Sequence, residues 1–80
     1  MNVGEQITFN GVTFRIVEIM PFKTVTNREM VMIAYQLLDR RFTSSVAHLA
    51  LERREPIQPH VEKIIDAYIQ TRESVRRGPR

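Results

Sequence analysis

Residues 39–55, DRRFTSSVAHLALERRE, carry an arginine pair near each end and fit either of two secondary structures. Phe42, Ser44 and Val46 recur at period two around a Thr-Ser-Ser trio that strands tolerate well, which favours a strand. Residues 45–54 also fit a short helix, which would follow a first helix over the preceding segment. The choice between these two interpretations sets the fold of the whole chain.

The preceding segment, EMVMIAYQLL at residues 29–38, has the same ambiguity. A capping box at residues 26–29 and an apolar helical face favour a helix, with Met30, Ile33, Ala34, Leu37 and Leu38 on that face. Read as a strand, the segment places two sets of side chains on opposite faces: Val31, Ile33, Tyr35 and Leu37 on one, and Met30, Met32 and Ala34 on the other.

The N-terminal part has the clearest local signal. Ile7 and Phe9 alternate with polar neighbours, and the Asn10-Gly11 pair then separates them from a second alternating run. Asn-Gly between two such runs predicts a β-hairpin, because a type I′ turn needs positive φ at both central residues. Alternation along the second strand predicts one common face for Val12, Phe14, Ile16 and Glu18. Pro21 has no N–H to donate, so it is expected to end or kink that strand.

Residues 59–77 predict one long amphipathic helix. Pro59 suits the first helical turn, where a missing N–H costs nothing. An apolar stripe follows at three- and four-residue steps, and it contains Val61, Ile64, Ile65, Tyr68, Ile69, Arg72 and Val75. Gly78-Pro79 predicts the end of the helix, so that residues 78–80 form a basic tail.

The order of strands and turns over residues 4–52 resembles the spacing of small SH3-like or Tudor-like barrels, in which the last strand closes on an apolar segment such as HLAL at residues 48–51. The resemblance implies an α+β fold: a small, strongly bent antiparallel sheet of 4–5 strands, barrel-like, followed by the long C-terminal helix. The alternative is an N-terminal β-hairpin plus three helices. Residues 22–55 contain no glycine or proline, which counts against tight barrel turns.

Size and composition exclude several classes of protein. A chain of 80 residues with 42% hydrophobic and 26% charged residues predicts a single globular domain over residues 1–77. The absence of cysteine excludes disulfides, thiolate zinc sites and cysteine nucleophiles. A core this small leaves little room for a substrate cleft, so neither a cofactor nor a small-molecule substrate is expected. Without an apolar stretch of about 18–20 residues, the chain is expected to be cytoplasmic and without a membrane partner.

The charged residues suggest a polyanion-binding surface. The formal net charge is +3, and ten of the 12 cationic side chains are arginines, whose planar fork suits phosphate. If the chain binds nucleic acid, the residues expected to contact it are Arg40, Arg41, Arg53, Arg54, Arg72, Arg76, Arg77 and Arg80. Phe22, Tyr35 and Phe42 would offer stacking faces. On the other interpretation, the aromatic rings belong to the core and the arginines form a solvated rim.

Catalytic and metal sites are weakly supported. Asp39, Ser44 or Ser45, and His48 are the residue types of a hydrolytic triad, but nothing in the sequence fixes their geometry. His48 and His60 are twelve positions apart with no cysteine beside them, a spacing that does not indicate a metal site. We therefore expect no catalytic residue, no metal site and no enzymatic activity.

The C-terminal half of the helix suggests a protein interface. Its apolar stripe is long for a domain of this size, and Ile69, Arg72 and Val75 are the residues expected to contact a partner or a second copy. The sequence thus favours a small non-enzymatic binding or regulatory module that acts through protein–protein contacts. The alternative is a nucleic-acid-binding protein that uses its arginine clusters.

Overall fold

The computed structural model describes the backbone of residues 1–77 and the side chains of residues 1–73. Its elements follow one another as an antiparallel sheet and then a helix, which confirms the predicted α+β class. The elements are β1 (Gln6–Phe9), β2 (Val12–Lys23), β3 (Glu29–Asp39), β4 (Phe42–Thr43), β5 (Ala47–Glu52) and α1 (Gln58–Arg77). The predicted basic tail, residues 78–80, lies outside the described residues.

The first hairpin forms as predicted at Asn10-Gly11. Asn10 has φ 52° and Gly11 has φ 80°, so both central residues adopt the positive φ that a type I′ turn requires. The turn sets the register of β1 on β2, with Phe9 opposite Val12 and Ile7 opposite Phe14. Four apolar side chains are thereby directed to one face of the sheet.

A β-bulge interrupts β2 between Ile16 and Glu18. Ile16 lies opposite Tyr35, whereas Glu18 lies opposite Ala34, so Val17 is an extra residue in β2. Side chains of directly opposed residues share a face. Val12, Phe14 and Ile16 therefore lie on one face, while Glu18 lies on the other. The prediction that Glu18 continues the face of Val12 is wrong, because alternation along one strand does not reveal an extra residue.

Residues 29–52 are extended rather than helical. β3 pairs with β2 along one edge and with both β4 and β5 along the other. Ser44 joins the two short strands: its N–H donates to the carbonyl of Leu37 at 2.9 Å, and its Oγ accepts the Leu37 N–H at 2.8 Å. β4 and β5 thus act as one interrupted strand beside β3. The alternative of three helices after the first hairpin is not the fold that the chain adopts.

The sheet of the described residues is not closed into a barrel. Its strands run in the order β1-β2-β3-β4, and β5 pairs with β3 instead of returning to β1. The barrel-like closure that the spacing suggested is therefore wrong, although the antiparallel sheet itself is confirmed. The physical reason is that α1, and not a returning strand, covers the apolar face of the sheet.

The core lies between that face and α1. Val61 and Ile65 of α1 are fully buried against residues from β2, β3 and β5. The buried cluster consists of Val12, Phe14, Ile16, Val31, Ile33, Leu37, Leu51, Val61 and Ile65. Burial of these side chains provides most of the driving force for docking the helix, at roughly 25 cal/mol per Å² of apolar surface.

Candidate functional site

The two arginine pairs in the middle of the chain lie at opposite ends of β3. Arg40 and Arg41 form the two-residue loop that joins Asp39 to Phe42. Arg53 follows β5, and its N–H donates to the carbonyl of Glu29 at 3.1 Å. Glu29 and Asp39 bound an 11-residue strand, which spans about 35 Å at ~3.3 Å per residue. The structure therefore does not bring these pairs together into one cluster, and their binding of nucleic acid stays a prediction.

Arginines near the tip of the β2–β3 hairpin are engaged with carboxylates. Arg53 contacts Glu29 at 3.0 Å, and Arg28 forms an ion pair with Glu52. Both pairs connect β3 or its preceding loop to the end of β5. All four side chains are exposed, so each pair contributes little to stability. The pairs nevertheless balance the local charge and occupy guanidinium donors that a phosphate would need.

Arg72, by contrast, binds the one buried acidic residue of the described chain. Its Nη1 donates to Asp39 Oδ2 at 2.5 Å, and the Tyr68 hydroxyl donates to the same oxygen at 2.9 Å. Asp39 is only 8% exposed. The Phe42 and Tyr68 rings stack with centroids 6.3 Å apart, and the Arg72 guanidinium lies 5.8 Å from the Tyr68 centroid. This cluster joins the second half of α1 to the β3–β4 turn.

The ionisation states in this cluster match a structural role. The hydrogen bond from Arg72 lowers the pKa of the Asp39 carboxyl below its ordinary value, against an opposing effect of burial. Burial, together with the adjacent carboxylate, raises the pKa of the Tyr68 hydroxyl. Asp39 is therefore an anion and Tyr68 a neutral donor at neutral pH. The cluster fixes the position of α1 on the sheet.

The predicted interface on α1 is only partly described. Ile69 is half-buried and packs against the core cluster, and Arg72 is bound to Asp39. The side chains of Val75, Arg76 and Arg77 lie outside the described residues, as does Arg80 entirely. The proposed partner contacts of Ile69, Arg72 and Val75 are untested and stay predictions.

The residue types of a hydrolytic triad lie apart in the sheet. His48 is opposite Ala34, whereas Asp39 lies on the face that packs against α1. Ser44 Oγ donates to the Ser45 carbonyl at 3.0 Å and accepts the Leu37 N–H. Within the described residues, no group of three His, Asp or Glu side chains is arranged to hold a metal ion.

The face of the sheet that α1 leaves uncovered carries an apolar patch. Three rows of opposed residues define it, each taken in the order β2, β3, β5: Phe22, Met30 and Glu52; Met20, Met32 and Ala50; Glu18, Ala34 and His48. We call these nine residues the open face. Met20 and Phe22 are each 39% exposed, and Met30 and Met32 are half-buried. Polar residues occupy both ends of the Ala34 row, Glu18 and His48, and one end of the Met30 row, Glu52.

Sequence reasoning placed Met30, Met32 and Ala34 together on one strand face but did not identify that face as a site. The missing information was the bulge at Val17. Without it, Met20 and Phe22 fall on the core face with Phe14 and Ile16; with it, they join the methionines of β3. Val17 itself is exposed. The sequence signal for this change of face is the run of apolar residues on both faces of β2 after Ile16.

Comparison with known proteins adds no relative. No protein-family model matches the chain, and no curated protein or solved structure matches it either. In the part of the chain that the structure describes, the single helix is too polar to cross a membrane.

Proposed function

We propose that this chain is a small non-enzymatic binding module that acts through protein–protein contacts, and that the open face is its binding surface. The supporting observation is the exposure of Met20 and Phe22 beside half-buried Met30 and Met32 on a face that α1 does not cover. Contiguous apolar side chains on the surface of a small domain are typical of interaction sites. Methionine side chains are flexible and polarisable, which suits them to contact with another protein.

The surface also has the layout of an interface. Apolar side chains occupy its middle row, while Glu18, His48 and Glu52 stand at its border. An apolar centre with a polar rim is the usual arrangement of protein interfaces. The β2–β3 hairpin extends beyond the segment of β2 that pairs with β1, and it carries the β2 and β3 residues of all three rows of this surface.

Nucleic-acid binding is the second candidate, and one observation favours it. Arg40, Arg41 and Phe42 are adjacent and all exposed, so two cations lie beside an aromatic ring that stacks on Tyr68 with one face and can meet a base with the other. The pairing of Arg28, Arg53 and Arg72 with carboxylates counts against it, because a polyanion would have to displace those partners. If Arg40→Glu with Arg41→Glu abolishes binding of single-stranded DNA at low salt, this candidate gains support.

A photo-crosslinking amino acid at position 20 tests the principal proposal. We expect the variant, produced in the cells that naturally contain the protein, to form a discrete covalent adduct with a protein after irradiation. The same amino acid at Asp66, which is exposed on α1, provides the matched control and should give none. Absence of an adduct from position 20, or equal adducts from both positions, contradicts the open face as the binding surface.

A further inference from the structure

The open face is complementary to itself. A two-fold axis that lies between two such faces and runs along β3 places β3 on β3 and β2 over β5 of the second copy. Each row of one copy then lies nearly over the same row of the other, because packed sheets align their strands to within about 30°. Each copy would present Met20 to the small Ala50 of the other, and Glu18 to the other's His48. The central Met32 side chains would meet each other across the axis.

We propose that the partner of the open face is a second copy of this chain, bound by two-fold packing of one sheet on the other. This inference rests on the proposed function, since it names the partner of the same surface. Complementary polar groups carry it: the Glu18 carboxylate at one end of the Ala34 row can accept from the His48 imidazole at the opposite end, so the two-fold axis creates two Glu18–His48 contacts in the dimer. Opposed potentials across an interface fix its register.

Size complementarity supports the same axis. In the middle row, a long side chain on β2 and a methyl group on β5 flank Met32. The two-fold axis places the long Met20 side chain of each copy opposite the short Ala50 side chain of the other. Two sheets about 10 Å apart can therefore interdigitate without a void. In the first row, Phe22 would meet Glu52, whose carboxylate is already ion-paired with Arg28. That row therefore adds no unpaired acid to the interface.

Pairing of two chains edge to edge is disfavoured by the residues at the free edge of β2. The Thr24 N–H donates to the Arg28 carbonyl within the hairpin. Since backbone groups alternate in direction along a strand, Ile19, Pro21 and Lys23 direct theirs outward. Proline offers no N–H, and lysine and a bulge are common devices that block such edges. The exposed part of the β2 edge is therefore poorly suited to pairing with another chain.

Sedimentation equilibrium of the purified full chain tests the dimer. We expect a concentration-dependent dimer for the wild type and a dissociation constant raised roughly tenfold or more by Glu18→Lys, because a cation would then replace the carboxylate that accepts from the His48 imidazole. Adding His48→Glu to that variant should restore the wild-type constant, since position 18 then meets an acid on the second copy. Asp66→Lys, a matched charge reversal on α1, should leave the constant unchanged. Circular dichroism melts establish that each variant folds, and Ala50→Gln provides a second, uncharged disruption of the interface.

The outcomes separate the two proposals. A wild-type chain that remains monomeric at about 1 mM, where contacts worth only some 4 kcal/mol would be half-formed, overturns the second copy as partner. A position-20 adduct of another mass would then still support the open face as a binding surface. A dimer that Glu18→Lys weakens and His48→Glu does not rescue overturns the proposed axis. An adduct of twice the chain mass, with rescue, supports both.

Discussion

The Tyr68 hydroxyl on α1 donates a hydrogen bond to Asp39 Oδ2 at the end of β3, with 2.9 Å between the two oxygens. The two residues are 29 positions apart in the sequence. The bond fixes the second half of the helix at the end of the sheet where the two-residue Arg40-Arg41 turn lies. Val61 and Ile65 anchor the first half by burial. The helix is thus attached by apolar packing near its start and by a charged hydrogen-bond cluster further along.

Removing the Tyr68 hydroxyl should destabilise the fold. Tyr68→Phe keeps the stacked ring but leaves Asp39 with one donor fewer, which costs about 1.5–3 kcal/mol for a hydrogen bond to a charged acceptor. The free energy of unfolding in urea measures this loss. Tyr35→Phe is the matched control, because the Tyr35 hydroxyl has no hydrogen-bond partner among the described residues, and it should change the value little. Equal effects of the two variants would contradict a specific Tyr68–Asp39 bond.

The same cluster predicts a pH dependence of stability. Since the pKa of Asp39 is lower in the folded than in the unfolded chain, the folded state favours the carboxylate. The stabilisation from this group is complete above the unfolded pKa, about 3.9, and is lost as pH falls through the lower folded value. Asp39→Asn removes the titrating group while retaining the side-chain shape.

The measurement compares wild type and Asp39→Asn in urea at pH 7 and at successively lower pH. The difference in unfolding free energy should be greatest at neutral pH and shrink below about pH 4. Other carboxyls, such as Glu55 with its pKa lowered by His60, titrate in both proteins and cancel in the difference. A difference that is constant across this range would show that Asp39 is not held as the anion.

Much of the fold follows from local pattern. Asn10-Gly11 specified its turn because few residues tolerate two successive positive φ angles. Burial of Val31, Ile33 and Leu37 on one face of β3 decides between the strand and the helix that the sequence leaves open, against the helix propensity of these residues. Propensity contributes a few tenths of a kcal/mol per residue, whereas burying three apolar side chains in one core contributes several kcal/mol.

Two features depend on residues distant in the sequence: whether the sheet closes, and which face each side chain of β2 occupies. Nothing in residues 47–52 distinguishes pairing with β3 from pairing with β1, so the open sheet was not predictable from strand spacing. The bulge at Val17 likewise appears only in the register with β3. Helical periodicity predicts Arg72 on the apolar stripe, but its partner Asp39 lies 33 positions away and has no local signal in the sequence.

Replacing Arg40 should stabilise the β3–β4 turn. Arg40 adopts φ 57°, a left-handed conformation that costs a residue with a side chain about 1–2 kcal/mol. Glycine removes this cost but adds freedom to the unfolded chain, so Arg40→Gly should raise the free energy of unfolding by about 0.5–1 kcal/mol. Thermal and urea unfolding at pH 7 measure the change.

Arg41→Gly serves as the control because it removes the same charge from the next position of the same turn. Arg41 does not have a positive φ, so glycine there brings only the entropic cost and should lower the free energy of unfolding by about 0.5–1 kcal/mol. Opposite signs for the two variants are therefore expected. If both variants shift stability in the same direction, the effect arises from the lost charge near Asp39, and the backbone conformation of Arg40 carries no strain.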